Sequence, residues 1–259
     1  MSEQAVIDPR EILNSAGYED VPAVLLPYQQ EWIADKSPLK VAEKSRRIGL
    51  TWAEAADSVL DAASDAGQNC YYLGYNKDMT VEFIQACAMW AKAFDAACSD
   101  VEEGLWEDGD KHIQTYTIRF PKSGRRIEAL TSRPSNLRGR QGRVILDEYG
   151  FHEKKSELLK AAIALLIWGG CVRVISTHDG EDNEFNDLIK EIRSGKRKGT
   201  VHRTTFREAV EQGLYKRVCL RKKIKYKKSE EQPTNITIAN YDAEGNLINW
   251  PLGFFQPSL

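Results

Sequence analysis

Val41-Ala42-Glu43-Lys44-Ser45-Arg46-Arg47-Ile48-Gly49-Leu50-Thr51-Trp52 is the stretch whose reading decides the fold of this chain. Leu39 to Ala42 favours a β-strand. A short polar loop with three cations follows, closes on Gly49, a spacer and Thr51, and gives way to an Ala-rich helical pattern. Strand, loop, Gly-x-Thr and helix form a cradle for an anion: backbone N–H groups at a helix N-terminus face a phosphate, and the hydroxyl binds Mg²⁺. Against G-x-x-x-x-G-K-[ST], Lys44 stands where the first Gly belongs and Leu50 where the Lys belongs. Lys44, Arg46 and Arg47 lie inside the loop, and one of them could reach the β- and γ-phosphates instead. By itself the stretch suits a basic turn before an ordinary helix better, so partners elsewhere must decide.

The surroundings are those of a globular chain. The 259 residues are 42% hydrophobic and 29% charged, with a net charge of -2, enough for one sizeable α/β domain and an appendage. Near-zero net charge neither favours nor excludes nucleic acid, because local clustering matters more than the sum. Cys70, Cys87, Cys98, Cys171 and Cys219 are odd in number and contain no Cys-x-x-Cys pair, which suggests neither a zinc site nor a disulfide framework and fits a reducing compartment. The first residues lack a basic and apolar leader pattern, and no apolar run approaches a membrane span, so a cytosolic protein is expected.

Outward from the loop, Asp8-Pro9 reads as the opening of a short helix ended by Gly17, and Pro22 to Pro27 as a linker. Tyr28-Gln29 opens the next helix. An aromatic and a Gln ahead of a phosphate loop can clamp adenine, the ring stacking and the amide reading the base edge. The rival is a helix start that buries Trp32. Downstream, the pattern predicts a helix over Ala53–Ala66 capped by Gly67, a buried strand over Cys70–Tyr75 and a helix over Asp78–Cys98. It then predicts a hairpin of Ile113–Phe120 with Arg126–Leu130, and a helix over Lys154–Ile167. Strand Val172–Ile175, helix Glu184–Arg193 and strand Gly199–Thr205 complete the domain. Short strands alternating with helices point to a largely parallel sheet with right-handed crossovers.

Val144-Ile145-Leu146-Asp147-Glu148 changes the odds. Three aliphatics ending in two acids make a buried strand deliver both carboxylates to the sheet edge where ligands sit in open α/β folds. In a P-loop ATPase of the additional-strand (ASCE) type, the Asp holds Mg²⁺ through water and the Glu polarises the attacking water. An ordinary strand before an acid-tolerant helix start is the alternative. Ser176 and Thr177, at the end of the following strand, can sense the γ-phosphate; helix capping is their rival explanation.

Together, Leu26 to Trp32, Lys44 to Thr51, Leu137-Arg138-Gly139-Arg140, Val144 to Glu148 and Ile175 to Thr177 resemble, in order, the motifs of the large terminase subunit of tailed phages, most closely its Mu-like branch. The resemblance covers residues 22–220 and implies an N-terminal ATP-hydrolysing motor domain that drives double-stranded DNA into a procapsid. It implies Tyr28 and Gln29 as the adenine motif, and Lys44, Ser45, Arg46, Arg47, Ile48, Gly49, Leu50 and Thr51 as a variant phosphate loop that uses an upstream basic residue. Thr51 and Asp147 become Mg²⁺ ligands, Glu148 the catalytic carboxylate, and Ser176 and Thr177 the coupling motif. Arg138 or Arg140 resembles a finger inserted into a neighbouring subunit's site. ATP and Mg²⁺ are the implied cofactors. The implied partners are double-stranded DNA, a portal protein and a small terminase subunit, with a homo-oligomeric ring when docked and a monomer allowed in solution. The implied setting is the bacterial host cytoplasm.

Large terminases also carry an RNase H-like nuclease domain. The acids after Leu220 (Glu230, Glu231, Asp242, Glu244) lie in a segment too short for that fold, so no nuclease activity is expected of this chain. Residues 1–21 then form a helical extension, and 221–259 a basic, atypical tail in which Asp242 to Asn246 suggests a hairpin. The cations from Lys216 to Lys228 read as a solvated or disordered segment, with salt-sensitive DNA binding as the functional rival. Two other classes stay open: a truncated prophage remnant that binds nucleotide or DNA with weak turnover, and a helicase-like DNA translocase.

Overall fold

Leu39–Lys44 is a strand, β1, buried on both faces, and everything that positions the loop after it is built on its neighbours. The computed structural model describes residues 24–94, 98–108, 111–180, 182–222, 240–241 and 247–249. The expected helix at Asp8 to Gly17 and the 1–21 extension lie outside them. Contacts divide the chain into Tyr28–Thr204 and a second unit formed by Met1–Pro27 with Thr205–Leu259.

In the first unit, α1 (Pro27–Ala34) precedes β1, and α2 (Leu50–Ala63) follows the loop. Then come β2 (Cys70–Gly74), α3 (Lys77–Ala93), β3 (Glu102–Asp108), β4 (Lys111–Phe120), β5 (Arg125–Thr131) and β6 (Arg143–Asp147). The series ends with α4 (Lys155–Ala164), β7 (Cys171–Ser176), α5 (Glu184–Arg193) and β8 (Thr200–Thr204). All eight strands form one sheet in the order β3-β4-β5-β2-β6-β7-β1-β8. From β5 to β8 neighbouring strands run parallel, and β4 pairs antiparallel with both β3 and β5.

The position of β7 between β1 and β6 is what the additional-strand P-loop class requires. Asp147 pairs with Ile175, and Glu43 with Ser176, so the ends of β6, β7 and β1 reach one edge together. Parallel central strands are covered on both faces and therefore read as continuous apolar runs, as β6 (Arg-Val-Ile-Leu-Asp) does. One face packs Val41, Leu73, Val144, Leu146, Val172 and Val174 against Phe185, Leu188, Ile189 and Ile192. Those last four follow the i, i+3, i+4, i+7 stripe of an amphipathic helix. Burying each such side chain stabilises the fold by about 1.5–3 kcal/mol.

Several boundaries differ from the sequence reading. Helix α2 starts at Leu50 and stops at Ala63, with Ser64 as its C-cap. Gly67 does not cap it; the chain there crosses the Asp61 carbonyl so closely that a Cβ would lie 1.6 Å from the oxygen. Strand β3 was not foreseen. It exists by pairing with β4 along seven register positions, and no local pattern announces that. The helix expected to reach Ile167 ends at Ala164 and tightens into a 3₁₀ turn, Leu165–Trp168, stopped by Gly169 at φ 79°. In the second unit, α6 (Phe206–Glu211) opens on a capping box of Thr205 and Glu208. Helix α7 (Leu214–Lys222) takes the first part of the basic run, expected to be unstructured; residues 223–239 lie outside the description. Short strands β9 (Asn240–Tyr241) and β10 (Leu247–Asn249) pair antiparallel, as the hairpin reading expects.

Candidate nucleotide site

Residues 45–49 turn the chain from β1 into α2. Arg47 (φ 61°) and Gly49 (φ 74°) both take the left-handed conformation. Gly49 has a second constraint, because a Cβ would lie 3.2 Å from the Gln29 amide nitrogen. That nitrogen donates to the Gly49 carbonyl at 2.8 Å, and the Tyr28 hydroxyl donates to the Ile48 carbonyl. Tyr28 and Gln29 are buried, so in this structure the expected base clamp braces the back of the loop. Trp32 is also fully buried and donates to the Glu54 carboxylate at 2.6 Å. Ser45 donates its N–H to the Thr204 carbonyl, Ile48 and Leu50 are buried, and Arg46 and Arg47 are exposed, Arg46 lying 5.9 Å from the Phe151 ring centroid.

The acids of β6 meet this loop. The Thr51 hydroxyl donates to Asp147 Oδ2 at 3.0 Å, joining residues 96 positions apart. Lys44 Nζ donates to Glu148 Oε1 at 2.7 Å, with the lysine side chain 6% and the glutamate 22% exposed. Asp147 is 1% exposed. Burial pushes its carboxyl up to about 6; Lys44 opposes that rise and the Glu148 charge adds to it. Glu148 sits at φ 49°, the second non-glycine residue with positive φ among those described, after Arg47. Each such backbone costs on the order of 1–3 kcal/mol. Both lie where the loop and the acids face each other.

Ser176 and Thr177 complete the edge. The buried Ser176 hydroxyl accepts from the Gly150 N–H at 2.9 Å and donates to the Thr177 carbonyl. The Thr177 N–H donates to Glu148 Oε2 at 3.3 Å, while its own hydroxyl is buried without a hydrogen-bond partner. Glu148 is thereby held from β1 by Lys44 and from β7 by Thr177. The two arginines differ. Arg140 donates to the Asn136 carbonyl at 2.6 Å, pairs with Glu128 and lies 4.9 Å from the Tyr71 ring centroid. Arg138 is exposed on the turn, beside Gly139 at φ 71°.

Two participants escaped the sequence reading. The Tyr72 hydroxyl donates to Asp147 Oδ2 at 2.8 Å. His152 Nε2 faces the Asp147 carbonyl at 2.7 Å, and Nδ1 faces the Ser132 hydroxyl. A carbonyl only accepts, so Nε2 carries the proton, and burial keeps the ring neutral by lowering its pKa. The Ser132 hydroxyl then donates to Nδ1. Tyr72 had no signal beyond its place in a buried strand, and His152 none beyond its distance from Asp147.

Thr51 and Asp147 offer hard oxygen donors at one point, which fits a Mg²⁺ ion that draws its other ligands from phosphate and water. An all-protein cage is a different design, and no group of three or more His, Cys, Asp or Glu suited to one occurs among the described residues.

No protein-family profile matches the chain. Over 203 residues, 77% of the chain, it is 54% identical to the Mu-like prophage FluMu protein gp28 of Haemophilus influenzae. Over 202 residues it is 52% identical to the probable terminase large subunit gp28 of Escherichia phage Mu. The chain spans 40% and 37% of the length of these relatives. Among solved structures, a variant of the Thermus phage P74-26 large terminase ATPase domain is similar at a TM-score of 0.50 and 15% identity, covering 85% of this chain and 94% of that one. The large terminase of a thermophilic bacteriophage in complex with ADP is similar at 0.52 and 17%, covering 80% and 52%. At these identities the two structures speak for the fold.

Proposed function

The 203 matched residues make this chain kin to the Mu-like large terminase subunits, and on that premise we propose that it is the ATP-hydrolysing motor domain of a phage or prophage DNA-packaging machine. The observation that carries the reading is the meeting of Thr51 with Asp147 and of Lys44 with Glu148, across about a hundred residues of chain. The backbone N–H groups at the start of α2, with Lys44, Arg46 and Arg47, bind the phosphates. Thr51 and Asp147 hold Mg²⁺, which when bound neutralises charge on the phosphate oxygens. Glu148 orients the attacking water and accepts its proton. Its contact with the Thr177 N–H gives Ser176 and Thr177 a direct link to the state of that carboxylate.

Tyr28 and Gln29 act through the loop backbone that they brace. Arg138, exposed, is the better candidate for the finger that enters a neighbouring subunit's site, because Arg140 is engaged by Glu128. Double-stranded DNA is the translocated substrate, and a portal and a small terminase subunit are the partners of the ring in the host cytoplasm. Among the described residues no helix is long and apolar enough to cross a membrane. The remnant and helicase-like readings draw no support from the relatives.

Phosphate release from Mg-ATP by the purified chain, with and without duplex DNA, tests the reading. Turnover that disappears in Glu148→Ala is the expected result. Turnover that is absent in the wild type, or indifferent to that substitution, overturns it.

A further inference from the structure

We propose that Tyr72 is a positioning residue that fixes the Asp147 carboxylate, and with it the divalent-cation site that Asp147 shares with Thr51; this rests on the nucleotide-and-metal reading above. Asp147 receives three hydrogen bonds. Oδ1 accepts from the Glu148 N–H at 3.1 Å, and Oδ2 from the Thr51 hydroxyl at 3.0 Å and the Tyr72 hydroxyl at 2.8 Å. Thr51 and Glu148 belong to the site itself, one on the phosphate loop and one next along the chain. Tyr72 alone of the three donors lies outside the loop-and-acid cluster, on β2, which pairs with β6 through Tyr72↔Ile145 and Leu73↔Leu146. It is the tie between the carboxylate and scaffold that carries no ligand.

The tie is rigid by construction. The Tyr72 ring is 0% exposed and lies flat on Phe83 of α3, with centroids 3.9 Å apart and planes 8° apart. Gly74 clears its path, because a Cβ there would stand 2.9 Å from Tyr72 Cε1. A fully buried ring stacked on Phe83 has little freedom to redirect its hydroxyl. The terminal torsion of an aspartate is broad and roughly two-fold, so a carboxylate without an outside anchor can exchange its oxygens or swing. With Tyr72 in place, one orientation is selected before any ligand arrives, which reduces the reorganisation that binding requires.

Tyr72→Phe removes the hydroxyl and keeps the stack, so it separates positioning from packing. The measurement is the rise in melting temperature caused by saturating ADP as Mg²⁺ is titrated, with ADP in excess EDTA as the metal-free arm. Tyr72→Phe is expected to need about tenfold more Mg²⁺ for the half-maximal rise, the scale of a lost hydrogen bond to a charged group. Its rise at saturating Mg²⁺ and in EDTA matches the wild type. Phe83→Leu, which keeps the hydroxyl but loosens the ring, is expected to move the midpoint in the same direction by less, and it carries the test if Tyr72→Phe does not fold. Equal Mg²⁺ midpoints in the wild type and the folded variants overturn the role of Tyr72. A wild-type chain whose ADP response ignores Mg²⁺ overturns the nucleotide-and-metal reading, a distinguishable result.

Discussion

Glu148 shows how much of the proposed chemistry is set by single side chains. Its two oxygens are divided between Lys44 Nζ and the Thr177 N–H, and its backbone is held in the left-handed region. A strained, doubly tethered carboxylate is positioned for a task that solvent exposure alone would not require. Glu148→Gln keeps the size and a hydrogen-bonding oxygen but cannot take a proton. It is expected to lower ATP turnover about 10²–10⁴-fold, the usual contribution of a general base, while leaving the thermal stabilisation by Mg-ATP in place; phosphate-release kinetics and melting curves check the two halves separately. Gly49 makes the opposite point. Its positive φ favours glycine, and a Cβ there would press on the Gln29 amide nitrogen at 3.2 Å, so any side chain would strain the loop.

At the scale of elements, the site depends on how α2 and β6 are locked together far from it. Arg143, at the first position of β6, is 4% exposed and lies among three carboxylates of α2. It donates to Glu54 at 3.3 Å and Asp57 at 2.7 Å, and it lies 3.5 Å from Asp61. Helix α2 begins with Leu50 and Thr51 and β6 ends with Asp147, so on β6 the clamp sits at the end remote from Asp147, while on α2 it runs from Glu54 to Asp61. Arg143→Met strands those carboxylates in the interior. It is expected to cost about 3–5 kcal/mol of stability, read as a fall in the urea midpoint.

A second lock joins the end of α1 to β8. Asp35 accepts from the Ser37 N–H at 2.8 Å, the Thr200 hydroxyl at 2.5 Å and His202 at 2.8 Å. Burial raises the Asp35 pKa, but the hydrogen bonds from His202, Ser37 and Thr200 outweigh it, and the folded value falls below the usual 3.8. A carboxyl depressed in the folded state contributes stability that is complete above its unfolded pKa and lost as the pH falls through the folded one. The stability difference between the wild type and Asp35→Ala should therefore shrink as the pH falls below about 4. Urea titrations at stepped pH measure this.

For the molecule as a whole, the question is whether one chain completes its own site. Within Tyr28–Thr204 the loop after β1, Asp147, Glu148 and Thr177 converge, and Arg140 is tied up by Glu128. Arg138 is left exposed on its turn. If it serves a neighbouring subunit, Arg138→Ala should lower turnover of the assembled protein by about 10³–10⁵-fold without weakening nucleotide binding. Mixing Arg138→Ala subunits with Glu148→Gln subunits should then restore part of the activity that neither has alone. Stopped-assay phosphate release across mixing ratios checks this, and a flat response would place the arginine outside the mechanism.

The sequence by itself determined the order of the motifs and the class of the sheet. The Val41–Trp52 and Val144–Glu148 segments are local patterns: apolar runs long enough for buried strands, ending in residues that such strands deliver to one edge. Helix α5 was equally legible, because a period of 3.6 residues is written along its own positions. The tertiary structure decided what periodicity does not encode. Strand β3 arises from its pairing with β4, Tyr28 and Gln29 turn onto loop carbonyls twenty residues away, and Tyr72 reaches Asp147 across neighbouring strands. Arg140 is likewise claimed by a glutamate twelve residues earlier in the chain. A hydrogen bond depends on where two atoms lie in space, and a linear pattern constrains only residues that share an element.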